Sequence, residues 1–264
     1  MAGPVLKEAI GFLYSGTQKS LGSQYIAFNK GLAKIDPTYV DGDSIEIKPL
    51  WADDDYSKLP KHAKQLIEKE NVAVLVAAGG PISALEAQKA TKNTNTPVVF
   101  TSVANPVGYH LVRGLKRPSG NLTGIAGLTT EKDLDRLQLL HELKPDATLI
   151  GALINPNRPD VKQQTQDLEN AAQKMGLKIY PGLAGAFADI ETAIDDIAGQ
   201  KVAALLVTAD PFFNSERPEV VGQVAKAFPR STNGASDPPP LKWSDLRYVF
   251  DIKEDCNGKE AIQA

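Results

Sequence analysis

The chain has 264 residues, 42% hydrophobic and 23% charged, with a formal net charge of −3. That is enough apolar chain for a packed core, while no apolar run nears the ~20 residues that span a bilayer and no basic stripe marks a nucleic-acid partner. The lone Cys256 makes no intrachain disulfide, and His62, His110 and His141 stand too far apart in sequence for a metal cluster, so neither a metal nor a cofactor is expected.

The chain opens without a basic segment followed by an apolar stretch, so no secretory signal peptide is expected. Ala9 to Tyr14 is an apolar run ended by Ser15-Gly16, the pattern of a buried parallel strand. Gly22 to Ile35 spaces Tyr25, Ile26, Phe28, Leu32 and Ile35 as one face of a helix. Ser44 to Trp51 alternates like a strand, and Leu59 to Lys69 is helical with Leu66 and Ile67 inward. Val72 to Ala78 is the clearest buried strand; it breaks at Gly79-Gly80-Pro81, and Pro81 suits the first turn of a helix. Pro97 to Val103 is another buried strand.

From Arg117 to Gly127 the rhythm lapses into an irregular crossing, then restarts. Helices are predicted over 131–143, 160–175, 190–198 and 215–228, and strands over 148–155, 177–183 and 202–208. The expectation is an α/β protein of two Rossmann-like lobes with parallel sheets: residues 1–120, residues 121–229, and an atypical tail over 230–264.

Ligands of parallel α/β sheets lie beyond the carboxyl ends of the strands, near helix N-termini. Five such ends carry small or polar residues: Ser15 to Gln18, Ala78 to Ser83, Thr101 to Pro106, Asn155 to Asn157, and Asp210 to Asn214. Gly-Gly-Pro is ordinary turn chemistry, and Asn-Pro or Asp-Pro starts also serve as helix caps without any ligand. Repetition along corresponding edges of two sheets is what favours a cleft for a small molecule. Phe212 or Phe213 would give it an apolar wall.

Enzyme signatures are missing. Gly16 to Ser20 lacks the spacing of a phosphate loop, no G-x-G-x-x-G follows the first strand, and no G-x-S-x-G elbow occurs. The acidic run Asp53-Asp54-Asp55 is expected to cap and solvate a turn.

Several strings together resemble one family: IGFLYSG (10–16), VAVLVAAGGP (72–81), PVVFTSVANPVG (97–108), RPSGNLTG (117–124), LINPNRP (153–159) and DPFFNS (210–215). They are similar to the substrate-binding proteins of ABC importers, in the group that includes tryptophan- and tyrosine-type binders. The resemblance implies a type I periplasmic-binding fold that closes on a hinge, work outside the cytoplasm, and a membrane permease as partner. By position it implies that Ser15, Gly79, Gly80, Ser102, Asn105, Asn155, Asp210 and Phe212 line the cleft. An amino-acid carboxylate would meet N–H groups near Ser15 and Gly80, and its amino group would meet Asp210. The chain is expected to act as a monomer; the alternatives are a cytoplasmic small-molecule sensor or an α/β enzyme of unrecognised type.

The tail departs from the family pattern, either by divergence or by changes of reading frame. One codon choice for Arg230 to Ala235 spells Ala-Ile-Tyr-Gln-Trp-Arg in a shifted frame. Another, for Lys242 to Arg247, contains Ser-Gly-Leu-Ile-Ser in a different shift, and both strings fall where the family has their like. The gene's nucleotide sequence decides between the two accounts.

Overall fold

The structure is a computed structural model, described here for residues 8–103, 105–116, 120–127 and 131–228. Cys256 and the expected tail over 230–264 lie outside the described residues.

Two parallel sheets organise the chain. The first uses β1 (Glu8–Tyr14), β2 (Ile45–Trp51), β3 (Val74–Ala78), β4 (Val98–Val103) and β5 (Leu122–Ala126), in the order β2-β1-β3-β4-β5. Its helices are α1 (Gln18–Ile35), α2 (Leu59–Glu68) and α3 (Pro81–Thr91). The second uses β6 (Leu149–Ile154), β7 (Lys178–Leu183) and β8 (Ala204–Val207), in the order β7-β6-β8. With it come α4 (Glu131–Leu143), α5 (Val161–Lys174), α6 (Asp189–Gly199), α7 (Pro211–Ser215) and α8 (Arg217–Ala227).

Alternation along each strand divides the core between two faces. In the first lobe Leu13, Leu75 and Ala77 point toward α2 and α3, where Leu59, Leu66 and Ala84 meet them. Phe12, Tyr14, Val76 and Ala78 point the other way, under Tyr25, Phe28 and Leu32 of α1. The second lobe repeats the scheme. Leu153 packs with Ile190, Ile194 and Ile197 of α6, while Ile150 and Leu206 pack with Leu137 of α4 and Leu168 of α5. A Cβ on Gly151 or Gly182 would sit 2.2 Å and 2.4 Å from Ile197 side-chain atoms, so these glycines let α6 lie flat on β6 and β7.

Four sequence expectations change. Helix α1 begins at Gln18, four residues before Gly22, because Thr17 caps it, accepting from the Ser20 N–H at 3.1 Å. Ile26 and Ile35, expected inward on that helix, are exposed. The irregular crossing contains β5, which pairs with β4, so the first sheet extends beyond the division expected after residue 120. Four of the five β5 residues are exposed, which left no hydrophobic alternation to find. The helix expected over 215–228 begins earlier and is broken: Asp210 caps α7, and α8 follows with Pro218 in its first turn.

Candidate functional site

The first-lobe wall is built mainly from backbone. Ser15, fully buried at the end of β1, donates through Oγ to the Gly79 carbonyl at 2.7 Å and so ties the ends of β1 and β3 together. Gly79 and Gly80 follow at φ +86° and +87°, and a Cβ on Gly79 would lie 2.2 Å from Ser15 Oγ. Gly80 is the N-cap of α3 and gives it no side-chain cap, while Pro81 has no N–H to offer. The first turn of α3 therefore presents its remaining N–H groups uncapped. On that turn the Ser83 hydroxyl is fully buried and has no hydrogen-bond partner among the described residues.

The chain leaving β2 crosses the end of β1. The N–H groups of Ala52, Asp53 and Asp54 donate to the carbonyls of Tyr14, Gly16 and Ser15 at 2.9, 3.1 and 3.0 Å. Asp53 and Asp54 sit at φ +54° and +62°, a left-handed conformation that these bonds hold in place. Of the acidic run, Asp55 caps a turn as expected, accepting from the Ser57 N–H at 3.1 Å and the Ser57 hydroxyl at 2.6 Å. Asp54 instead turns inward: Ser215 Oγ of the second lobe donates to its Oδ1 at 3.4 Å, and its Oδ2 is buried with no partner. Burial, then the negative charges of Glu216 and Asp210, push the Asp54 carboxyl up to about 7.

The second-lobe wall is a polar network. Asp210 Oδ1 accepts from Asn155 Nδ2 and the Phe212 N–H, both at 2.9 Å, and from the first lobe's Tyr56 hydroxyl at 3.0 Å. Arg158 reaches Asp210 Oδ2 at 3.5 Å and the Ala209 carbonyl at 2.7 Å. It also grips Asp160 with Nε and Nη2, at 2.9 and 2.8 Å. Tyr109 of the first lobe donates to the same Asp160 carboxylate. Burial raises Asp160, but the hydrogen bonds and charge of Arg158 outweigh it and hold the carboxyl below its usual range. Behind the wall, buried Asp133 receives the Ala209 N–H at 3.0 Å, Gln164 at 2.9 Å and Arg136 at 3.0 Å.

Ser15, Gly79, Gly80, Asn155 and Asp210 thus converge where the two lobes meet. A Cβ on Gly80 would lie 3.4 Å from Pro211, and one on Gly16 3.1 Å from Ser215 Oγ, so the strand ends of the two lobes are in close approach. Among the described residues no hydrogen bond joins Ser102 or Asn105 to these five, although the Asn105 carbonyl accepts from the N–H of Tyr109 at 3.0 Å. Ser102 is exposed at φ +55° near the end of β4, and Asn105 is exposed, its Oδ1 accepting from the Gly108 N–H at 2.8 Å. Phe212 is not an open wall: it is 1% exposed and packs on Phe213, also in the second-lobe core, with ring centroids 5.2 Å apart.

Sequence reasoning missed Tyr56, Tyr109, Arg158, Asp160 and the inward turn of Asp54. Only Arg158 and Asp160 carried a signal, a charged pair directly after the Asn-Pro-Asn strand end. A groove of about 790 Å³ lies elsewhere, on the flank of the first lobe beside Gln88, Lys92, His110 and Arg113. Among the described residues no group of three His, Cys, Asp or Glu side chains is placed to hold a metal ion, and no helix is long and apolar enough to cross a membrane.

Residues 17–227 match a family model described as ABC transporter substrate binding protein. The chain is 28% identical over 221 residues to a tyrosine-binding protein of Clostridioides difficile (strain R20291), a match covering 80% of this chain and 61% of that relative. Among solved structures, an ABC domain from Streptococcus pneumonia in complex with L-Trp superposes with a TM-score of 0.67 at 26% identity, over 83% of this chain and 71% of that one. The ligand-free, open structure of a Clostridium difficile substrate binding protein with adhesive properties gives 0.50 at 25% identity, over 83% and 72%. At equal coverage of this chain, the complex is the better overlay.

Proposed function

The chain belongs to the ABC transporter substrate-binding proteins, and from that premise we propose that it captures a free amino acid between its two lobes and delivers it to a membrane permease. The protein works outside the cytoplasm, as a monomer, and binds its ligand without transforming it. The division between the lobes falls after Ala126, where the first sheet ends, and the chain closes about that crossing.

One observation carries the ligand class. Donors and an acceptor left without partners lie on the same corner of the first lobe, both anchored on Ser15. The uncapped first turn of α3, with the buried Ser83 hydroxyl, suits a carboxylate. The unpartnered Oδ2 of Asp54 suits an ammonium. A zwitterion with both groups on one carbon matches that pairing better than a sugar or a dicarboxylate. Asp54 takes the ammonium role that Asp210 was expected to play, because the Asp210 carboxylate is engaged by four donors of the protein itself. Tryptophan and tyrosine, the ligands named for the two relatives, head the list to be tried.

A thermal-shift screen of the full chain against the amino acids, sugars and small organic acids tests the reading. A ligand at 100 times its dissociation constant stabilises a two-state binder by about 2.7 kcal/mol, a shift of several degrees. An amino acid should produce it, and Asp54→Asn should weaken that hit at least tenfold. A hit confined to sugars or dicarboxylates, or an Asp54→Asn variant with full affinity, would overturn the assignment.

A further inference from the structure

Taking the chain as a two-lobed binder, we propose that Tyr56 and Tyr109 set how readily the lobes close, each latching the first lobe onto a carboxylate that Arg158 holds ready on the second. The two halves of this latch are built differently. On the second lobe everything is fixed in place by that lobe alone. Arg158 is 7% exposed and spans Asp160 and Asp210, and Asp210 is further held by Asn155 and by the N–H of Phe212 at the start of α7. Both carboxylates therefore keep their positions whether the first lobe is near or far.

To this latch the first lobe contributes two phenols, beside the longer Ser215–Asp54 contact of 3.4 Å. The Tyr56 ring belongs to the first-lobe core, on the turn after β2, and the Tyr109 ring packs against that same core on the turn after β4. Each ring is anchored at home while its hydroxyl crosses to the other lobe and donates to Asp210 or Asp160. The bonds link residues 154 and 51 positions apart, and no element of secondary structure requires either of them. Closing energy is thus written into side chains of the protein, in addition to whatever a ligand brings.

A phenol donating to a carboxylate makes a charge-assisted bond, and parting the lobes returns both groups to water, so the net effect is modest. Loss of one such bond shifts the closed-to-open ratio by roughly tenfold. The two acceptors share one arginine, so the phenols should act together and not as independent sites. Ligand affinity follows the closed fraction, since a binder whose competent state is rarer binds more weakly by that fraction.

The test measures the lobes directly and needs no ligand. Spin labels at exposed Lys61 of α2 and Glu191 of α6, as Lys61→Cys and Glu191→Cys in a Cys256→Ser chain, report the interlobe distance by electron-spin dipolar spectroscopy. The labelled protein should give one dominant short distance. Tyr56→Phe and Tyr109→Phe should each add a longer population, and the double variant should raise it ten- to a hundredfold. Phenylalanine keeps each ring in its core; if the double variant does not melt cooperatively, Tyr109→Phe alone gives the single-latch value. Tyr180→Phe is the control, since it removes a phenol–carboxylate bond of 2.9 Å to Asp196 inside the second lobe and should leave the distance unchanged. An unlatched chain that stays closed, a parent chain that is already open, or an equal effect from Tyr180→Phe would each overturn the proposal. Failure to bind any amino acid would count against the ligand reading and leave these distances untouched.

Discussion

The two walls of the cleft solve opposite problems. The first-lobe wall leaves several polar groups unanswered: an uncapped helix turn, a buried hydroxyl and a buried carboxylate oxygen, both without a hydrogen-bond partner among the described residues. The second-lobe wall answers nearly all of its own, with Arg158, Asp160, Asp210, Asn155 and Asp133 bonded to one another or to backbone. A receptor surface needs the first kind of wall, because a ligand that replaces water must find groups to bond. It also needs the second kind, because a surface that shifts on contact loses affinity to its own ordering. The contrast assigns recognition to one lobe and rigidity to the other.

The sharpest way to break this contrast is Arg158→Met. It leaves buried Asp210 and half-buried Asp160 without their countercharge, and removing one partner of a buried ionic group typically costs about 3–5 kcal/mol. Urea unfolding should show that loss. A cost below about 1 kcal/mol would mean the second wall is no rigid block.

Gly79→Ala tests the first wall. It forces an L side chain to φ +86° with its Cβ 2.2 Å from Ser15 Oγ. Strain of that kind costs about 1–3 kcal/mol. The melting point should fall and ligand binding should be lost together, since the same movement displaces the start of α3. A variant that melts lower yet binds normally would separate that corner from recognition.

The smallest effect is a slope with pH. Asp54 has a folded value of about 7 against an ordinary 3.8, so the folded chain keeps the proton that the unfolded chain gives up. Below pH 4 both states are protonated and Asp54 costs nothing. As pH rises from 4 to 7 the unfolded state ionises first, and stability falls by this contribution, levelling off above 7. Melting curves of the parent chain and of Asp54→Asn across that window should diverge in this sense. Parallel curves would mean that Asp54 is solvated after all. Parting of the lobes also relieves Asp54 of Glu216, so the open population should grow over the same pH range.

Much of the scaffold was legible because buried parallel strands announce themselves as short apolar runs. Val72 to Ala78 and its Gly-Gly-Pro ending are the clear instance, and the structure puts β3 there with both glycines at positive φ. Asp210 was legible as a strand-end acid because Asp-Pro is strong cap chemistry. The rest was hidden for physical reasons. The partner of Tyr56 lies 154 residues away, a relation that no local pattern carries. Phe212 looks the same from sequence whether it lines a cleft or fills a core. The tripled acid at 53–55 reads as solvated charge, and only the left-handed turn at Asp54 rotates one of the three inward.

Asp210 has a consequence for how this protein is able to change over generations. One carboxylate starts α7, anchors Asn155 at the end of β6 and receives the phenol of the opposite lobe. Selection acting on any one of those traits through this residue moves the other two with it. Ser83 and Asp54, each with an unpartnered polar atom, carry no such multiple duties. Lineages that switch from amino acids to ligands without an ammonium and a carboxylate should therefore vary at residues 54 and 83 while residue 210 stands still.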